Sequence, residues 1–237
     1  MRVLRHMVFL LPALLFCMAP TGLAKTEAPE TAAYLDASVL PPTFLPPPPA
    51  EGSDTWRAQL GDVLGAQLHI TVSEQAMLRA EQKVSLDLIT PAVGINFTEA
   101  RYPSTFAMLA RVLADTTRIV EADKKYWHTR RPYLADTRVK LLVDPIDSSP
   151  SYPSGHTAEM RVLAEILGLL APQKRDALRA RAEEIAWHRV EAGVHYPADI
   201  EAGRLLAMLV VGAMIRSNAF EQDFLAARAE MGRLKAD

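Results

Sequence analysis

Cysteine is almost missing from this chain: of 237 residues, only position 17 carries one. That rules out a disulfide framework, so the fold must rest on an apolar core. Positive charge is not in excess either. With 26 Lys and Arg against 28 Asp and Glu, the formal charge is −2. Such a balance argues against nucleic acid or an anionic membrane as a partner. No stretch of the body is apolar over the ~20 residues that a bilayer crossing needs. Leu205 to Ile215 is strongly apolar, but its 11 residues lie between Arg204 and Arg216, which fits a buried helix. Two-residue alternation of apolar and polar positions is lacking, as is any internal repeat. Helices are the regular structure that this pattern supports.

The N-terminus has the form of an export signal. Arg2, Arg5 and His6 make a positive segment, Met7 to Phe16 an apolar one, and Gly22-Leu23-Ala24 a small-residue cleavage site before Lys25. As a retained membrane anchor the run is short and broken by Pro12, and as a lipoprotein signal it has Phe16 where a small residue is needed before Cys17. The reading is a signal peptide over residues 1–24, cleaved on export to the periplasm or beyond. Cleavage removes two arginines and no acid, leaving 24 basic and 28 acidic residues, and takes the lone cysteine with it. A soluble exported protein without a membrane span is expected.

Residues 25–54 are rich in Ala, Pro, Thr and Glu, with Pro41-Pro42 and Pro46 to Pro49, and read as an extended arm. Leu35, Val39, Leu40, Phe44 and Leu45 predict that it lies against the body. Residues 55–237 form the domain. Trp56, Leu60, Val63, Leu64 and Leu68 recur at helical steps, and Thr71 with Glu74 has capping-box spacing for a second helix running to Leu88. A long helix is expected from Ser104, carrying Lys124 near its end and stopped by Pro132. Further helices are expected over 156–170, from Pro172 to about Ala192 with Gly193 as its C′ residue, from Pro197 to about Ser217, and over 219–235. The fold class is an all-α, single-domain helical bundle.

Chemistry concentrates between Lys124 and Asp199. Lys124, Arg131 and Arg189 are three cations suited to phosphate oxygens, arginine as a planar fork and lysine as a point charge. Ser154-Gly155 immediately precede a helix, where backbone N–H groups and the helix dipole favour an anion. His156 and His195 suggest a division of labour, one imidazole attacking phosphorus and the other protonating the leaving oxygen. Asp199, in the first turn of the helix begun by Pro197, can turn back to His195. That favours His195 as the nucleophile and His156 as the acid. The same His156, His195 and Asp199 would also serve as metal ligands, but three neighbouring cations would repel a dication. No metal or other cofactor is expected.

Lys124-x6-Arg131-Pro132, Pro153-Ser154-Gly155-His156 and Arg189-x5-His195-x3-Asp199 resemble the three-part signature of the type 2 phosphatidic acid phosphatase superfamily. The chain is more closely similar to bacterial class A non-specific acid phosphatases, in Leu45 to Pro49, Ser151 to Thr157 and Asn218-Ala219-Phe220. The resemblance implies hydrolysis of many small phosphomonoesters, releasing inorganic phosphate through a phosphohistidine. His195 matches the nucleophile, Asp199 its orienting partner and His156 the acid. Lys124, Arg131, Ser154, Gly155 and Arg189 match the phosphate cradle. His188 stands where the family has serine, so it either modifies the pocket or points away. His128 is read as structural or at the rim. A phosphohistidine is also open to capture by alcohols, which gives phosphotransfer as a side activity, and a homodimer is compatible with the arm and short apolar helices. A vanadate-dependent haloperoxidase, a lipid phosphatase and an inactive phosphate-binding protein are the competing readings.

Overall fold

The computed structural model describes residues 33–94, 96–145 and 149–233; the expected signal peptide and residues 25–32 of the arm lie outside them. Eight α-helices occur among the described residues, and no strand: α1 Asp54–Ala66, α2 Val72–Ala80, α3 Pro103–Trp127, α4 Pro132–Ala135, α5 Gly155–Leu170, α6 Arg175–Glu191, α7 Pro197–Met214 and α8 Asn218–Arg233. None is long and apolar enough to cross a membrane.

The centre of the bundle is α5, which packs against α3, α6 and α7. Ala158, Met160, Val162, Leu163, Ala164, Ile166 and Leu167 are all fully buried. A helix apolar around most of its circumference sits inside the fold, and the Glu165 it carries is paired with Arg161 and Arg179. The other helices give it one face each: Met108, Leu109, Val112 and Ile119 from α3, Leu178, Ala182 and Ile185 from α6, and Leu206, Val210 and Met214 from α7. The last of these has a second face, since Leu205, Met208 and Ile215 are exposed. The apolar run from 205 to 215 is therefore half-buried rather than enclosed. Small residues set the closest approach. A Cβ on Gly203 of α7 would lie 2.8 Å from Ser154 O and from Thr157 Cβ, at the start of α5.

The arm divides by residue. Tyr34, Leu35, Leu40 and Leu45 are buried in the main core, whereas Val39 and Phe44 are exposed. The Asp115 carboxylate on α3 accepts from the Tyr34 and Leu35 N–H groups at 2.7 and 3.0 Å.

Two boundaries differ from the sequence reading. The Thr71–Glu74 capping box forms, yet α2 ends at Ala80. Leu86–Leu88 is a separate 3-10 turn, because the 81–82 carbonyls turn towards His156 instead of continuing the helix. The α3 helix ends five residues before Pro132, where His128 takes a left-handed conformation at φ 49°. This turn lets Thr129 to Arg131 leave the helix axis and enter the bundle.

The expected C′ glycine is present: Gly193 follows Ala192 at φ +75°, and its added Cβ would lie 2.4 Å from Lys140 O. Gly193→Ala is expected to combine a left-handed penalty of about 1–2 kcal/mol with that clash. For a chain of this size each kcal/mol lowers the thermal midpoint by about 2–4 °C, which calorimetry can read. Asp123 on α3 offers a second test. Neither of its buried carboxylate oxygens has a partner, and burial pushes its pKa up to about 7. A raised carboxyl contributes stability below its unfolded value that is lost as pH rises through the folded one. The wild-type midpoint should therefore fall between about pH 5 and pH 8 relative to Asp123→Asn.

Candidate active site

The N-terminus of α5 faces the last turns of α3 and α6 and the 194–195 segment across a cavity of about 440 Å³. Lys124, Arg131, Gly155, His156, Arg189 and His195 all line it. Local structure aims each of them. Lys124 lies in the last turn of α3, Arg131 just before Pro132, and Arg189 in the last turn of α6. The turn at Gly193 then brings the chain back, with the Val194 and His195 N–H groups donating to Arg189 O, and Pro197 starts α7.

His195 is 2% exposed, and both its nitrogens are engaged. Arg131 Nη1 lies 3.2 Å from Nε2, and Asp199 Oδ2 lies 3.1 Å from Nδ1. A guanidinium can only donate, so Nε2 presents its lone pair and Nδ1 carries the proton towards Asp199. Burial, followed by the Arg131 and Lys124 charges, holds the imidazole well below its ordinary pKa. The ring is a neutral base whose free electron pair points at cations. Burial pushes Asp199 up to about 6, against the Ser151 hydroxyl and the Tyr196 N–H, which donate to Oδ2 at 2.5 and 2.9 Å.

His156 is held differently. Its Nε2 lies 3.1 Å from Glu81 O and 3.0 Å from Gln82 O. Carbonyls only accept, so Nε2 bears the proton and Nδ1 is the nitrogen left for a ligand. Burial, then Arg189, pushes this group down to about 3. As a general acid His156 would need a second proton, yet in the free pocket the ring is neutral. A second proton is favoured only when negative charge arrives beside it.

The three cations are buried and bonded to neutral acceptors. Lys124 Nζ donates to Pro150 O at 2.6 Å. Arg131 donates to Ser149 O at 2.9 Å and Val194 O at 3.0 Å. Arg189 Nη2 donates to Leu78 O at 3.0 Å, while its buried Nε has no partner. Desolvation pushes Lys124 down to about 8 and Arg189 to about 10. An oxyanion in the cavity would find cations already in place and one guanidinium N–H unclaimed. Two first-turn N–H groups of α5, Gly155 and His156, have no partner within the helix. The third, on Thr157, is capped by Ser154 Oγ at 3.4 Å.

Not every expected residue reaches the cavity. Ser154 is fully buried and does not line it; its side chain caps α5. His188 also points away, with Nδ1 2.6 Å from Glu81 Oε2. His128 lines a separate cavity with Trp56, Trp127 and Tyr196. Three residues had no role in the sequence reading. Ser151 braces Asp199, and its place two residues before Pro153 was the available signal. Glu159 lines the cavity one turn after Gly155, accepts from Thr117 Oγ1 at 2.7 Å and is pushed up to about 7 by burial. Glu81, on the connection after α2, had no local signal at all.

The family model described as the PAP2 superfamily matches residues 104–222. A non-specific acid phosphatase of Salmonella typhimurium strain LT2 is 26% identical over 237 residues, covering 96% of this chain and 92% of that protein. One from Providencia stuartii is 27% identical over 230 residues, covering 93% and 92%. An acid phosphatase of Zymomonas mobilis is 26% identical over 222 residues, covering 90% and 83%. Among solved structures, a transmembrane PAP2-type phosphatidylglycerolphosphate phosphatase from Bacillus subtilis superimposes with a TM-score of 0.52. It is 18% identical, with 72% of this chain and 88% of that one covered, a likeness of fold alone.

A Cβ on Gly155 would sit 3.3 Å from Val120 Cγ1 and 3.8 Å from Glu159 Oε2, within the cavity wall. Gly155→Ala is expected to fold, since a valine methyl can yield by a few tenths of an ångström, and to narrow the anion site. Inorganic phosphate should raise the wild-type thermal midpoint, by the equivalent of about 2.7 kcal/mol at a hundredfold excess over Kd. Titration of that midpoint should show weaker binding in the variant.

Proposed function

Because the chain belongs to the PAP2 superfamily, we propose that it is an acid phosphatase that hydrolyses small phosphomonoesters through a phosphohistidine on His195. The observation that carries this reading is the pair of contacts on His195: a carboxylate on Nδ1, and on Nε2 a lone pair turned towards buried cations. A carboxylate on Nδ1 fixes the tautomer and supports positive charge on the ring, so that Nε2 can act as a nucleophile towards phosphorus.

The ester enters with its phosphoryl group among Lys124, Arg131, Arg189 and the first N–H groups of α5. It takes Arg131 from His195 Nε2 and supplies an acceptor to Arg189 Nε. His195 Nε2 attacks phosphorus as the P–O bond to the leaving group breaks, and Asp199 stabilises the positive charge that develops on the ring. A proton on His156 Nδ1 passes to the leaving oxygen, which departs as the alcohol. In the second half His156, now neutral, takes a proton from water as the water oxygen attacks phosphorus. The P–N bond breaks, and phosphate leaves with the proton held by His156, which restores His195 and returns His156 to its neutral form. An alcohol in place of water would give phosphotransfer.

Because His156 is neutral in the empty pocket, its proton arrives with the substrate. A phosphomonoester loses its second proton near pH 6, so the monoanion both binds and supplies the acid. This supports an acidic optimum. Ionisation of Asp199, raised to about 6, sets the opposite limb. A dication has no evident place, since its ligands would share the pocket with three cations, and metal-independent hydrolysis follows. The leader-like residues 1–24 support export to the periplasm, where soluble phosphomonoesters are the accessible substrates.

Hydrolysis of p-nitrophenyl phosphate with EDTA present, across roughly pH 4 to 9, tests the reading. Turnover should peak in acid, survive the chelator and fall by on the order of 10³-fold or more in His195→Ala. Asp199→Asn should lose about 10²–10⁴-fold in kcat with a smaller change in KM. Loss of activity with EDTA would make the histidines metal ligands. Turnover of dispersed phosphatidate in preference to the aryl ester would make this a lipid phosphatase.

A further inference from the structure

The residue that follows α2 is a buried carboxylate with two partners. Glu81 is 2% exposed, and its Oε1 accepts from Arg181 Nη2 at 2.6 Å while Oε2 lies 2.6 Å from His188 Nδ1. Arg181 and His188 lie two turns apart on α6, so they present one face to the connection after α2. Arg181 Nε also donates to Leu88 O at 3.2 Å, closing the other side of the same connection. The next residue is tied down as well: the Gln82 amide exchanges two hydrogen bonds with the backbone of Asp144, at 3.2 and 2.8 Å. This doubly clamped segment supplies both carbonyls that hold His156 Nε2.

We propose that Glu81, clamped by His188 and Arg181, is a positioning residue that presents the Glu81 and Gln82 carbonyls to His156 and so turns its Nδ1 to the leaving group. The inference rests on the acid phosphatase reading and adds residues outside the cradle to it. Two carbonyl dipoles on one N–H favour the charged ring without neutralising the pocket, and they work only if their direction is held. A solvent-exposed turn would let them relax. The buried ion pair prevents that, since separating Glu81 from both partners would strand a desolvated carboxylate. It also gives His188 a structural task in place of the serine expected from the family resemblance.

The test compares kcat across esters of one acidic and one poorly acidic alcohol, 2,4-dinitrophenyl phosphate and ethyl phosphate. A good leaving group departs without a proton, so only the poor one reports the acid. Glu81→Gln should lose a few-fold on the aryl ester and about 10²-fold on the alkyl ester, within the range for general acids. His188→Ala should follow the same pattern more weakly, and His188→Gln, which can still donate to Glu81, should restore it. An equal loss on both esters in the folded variants, or no loss on either, would overturn the inference. If Glu81→Gln does not fold, the two His188 variants decide it by the same ratio. An inactive wild type, or an active His195→Ala, would instead bring down the phosphatase reading itself.

Discussion

Burial of positive charge whose direct hydrogen-bond acceptors are carbonyls rather than carboxylates is the constraint around which this molecule is organised. Lys124, Arg131 and Arg189 are withdrawn from water, and their acceptors are the carbonyls of Pro150, Ser149, Val194 and Leu78. His156 is treated alike, by Glu81 O and Gln82 O. Carbonyl dipoles satisfy donors and fix their direction while leaving the net charge in place. A carboxylate at the same distance would cancel the field that attracts a phosphate. The acid bonded to the His195 ring, Asp199, is held at its Nδ1, opposite the nitrogen that faces Arg131. Glu81, whose charge Arg189 also feels, is occupied by Arg181 and His188.

The cost of that arrangement is visible in the depressed basicity of every cation and imidazole in the pocket, with desolvation the leading cause each time. A rigid core has to carry it. The α5 helix serves both ends of the problem, because its apolar surface anchors the bundle and its N-terminus faces the cavity. Gly203 lets α7 approach the Ser154 turn, which places Asp199 O to accept from Ser154 N–H at 3.0 Å. The start of α5 and the start of α7 are thus one unit, joined beneath the two catalytic candidates. On the proposed mechanism, charge brought by a substrate would relieve the pocket, and binding would itself shift His156 towards its acidic form.

Much of this could be read in the chain. Helical spacing located the principal helices to within a few residues, because an apolar stripe of period 3.6 is itself the surface that packs. Gly193 announced the end of α6, and Thr71-x-x-Glu74 the start of α2, since both signals are local and steric. Lys124, Arg131, Gly155, His156, Arg189, His195 and Asp199 could be grouped because their residue types serve one chemistry. The end of α2 could not be read: Leu86 and Leu88 continue an apolar pattern, and what stops the helix at Ala80 is a demand from His156 and α6 elsewhere in the sequence. The destination of Ser154 was hidden for a related reason. A serine before a helix can cap it or reach a ligand, and only the packing decides between the two.

By itself the sequence determined the helical class, the inventory of charges and the Asp–His spacing that puts a carboxylate one turn from an imidazole. These follow from periodicity and covalent distance, which act over a few residues. Tertiary structure alone decided which nitrogen of each histidine is free, whether His156 holds a proton in the empty pocket, and that His188 serves Glu81 rather than the cavity. Those outcomes depend on carbonyls and charges 64 to 107 residues away in the chain, and on the removal of water around them. Desolvation is a property of the assembled fold, and no local stretch of sequence carries it.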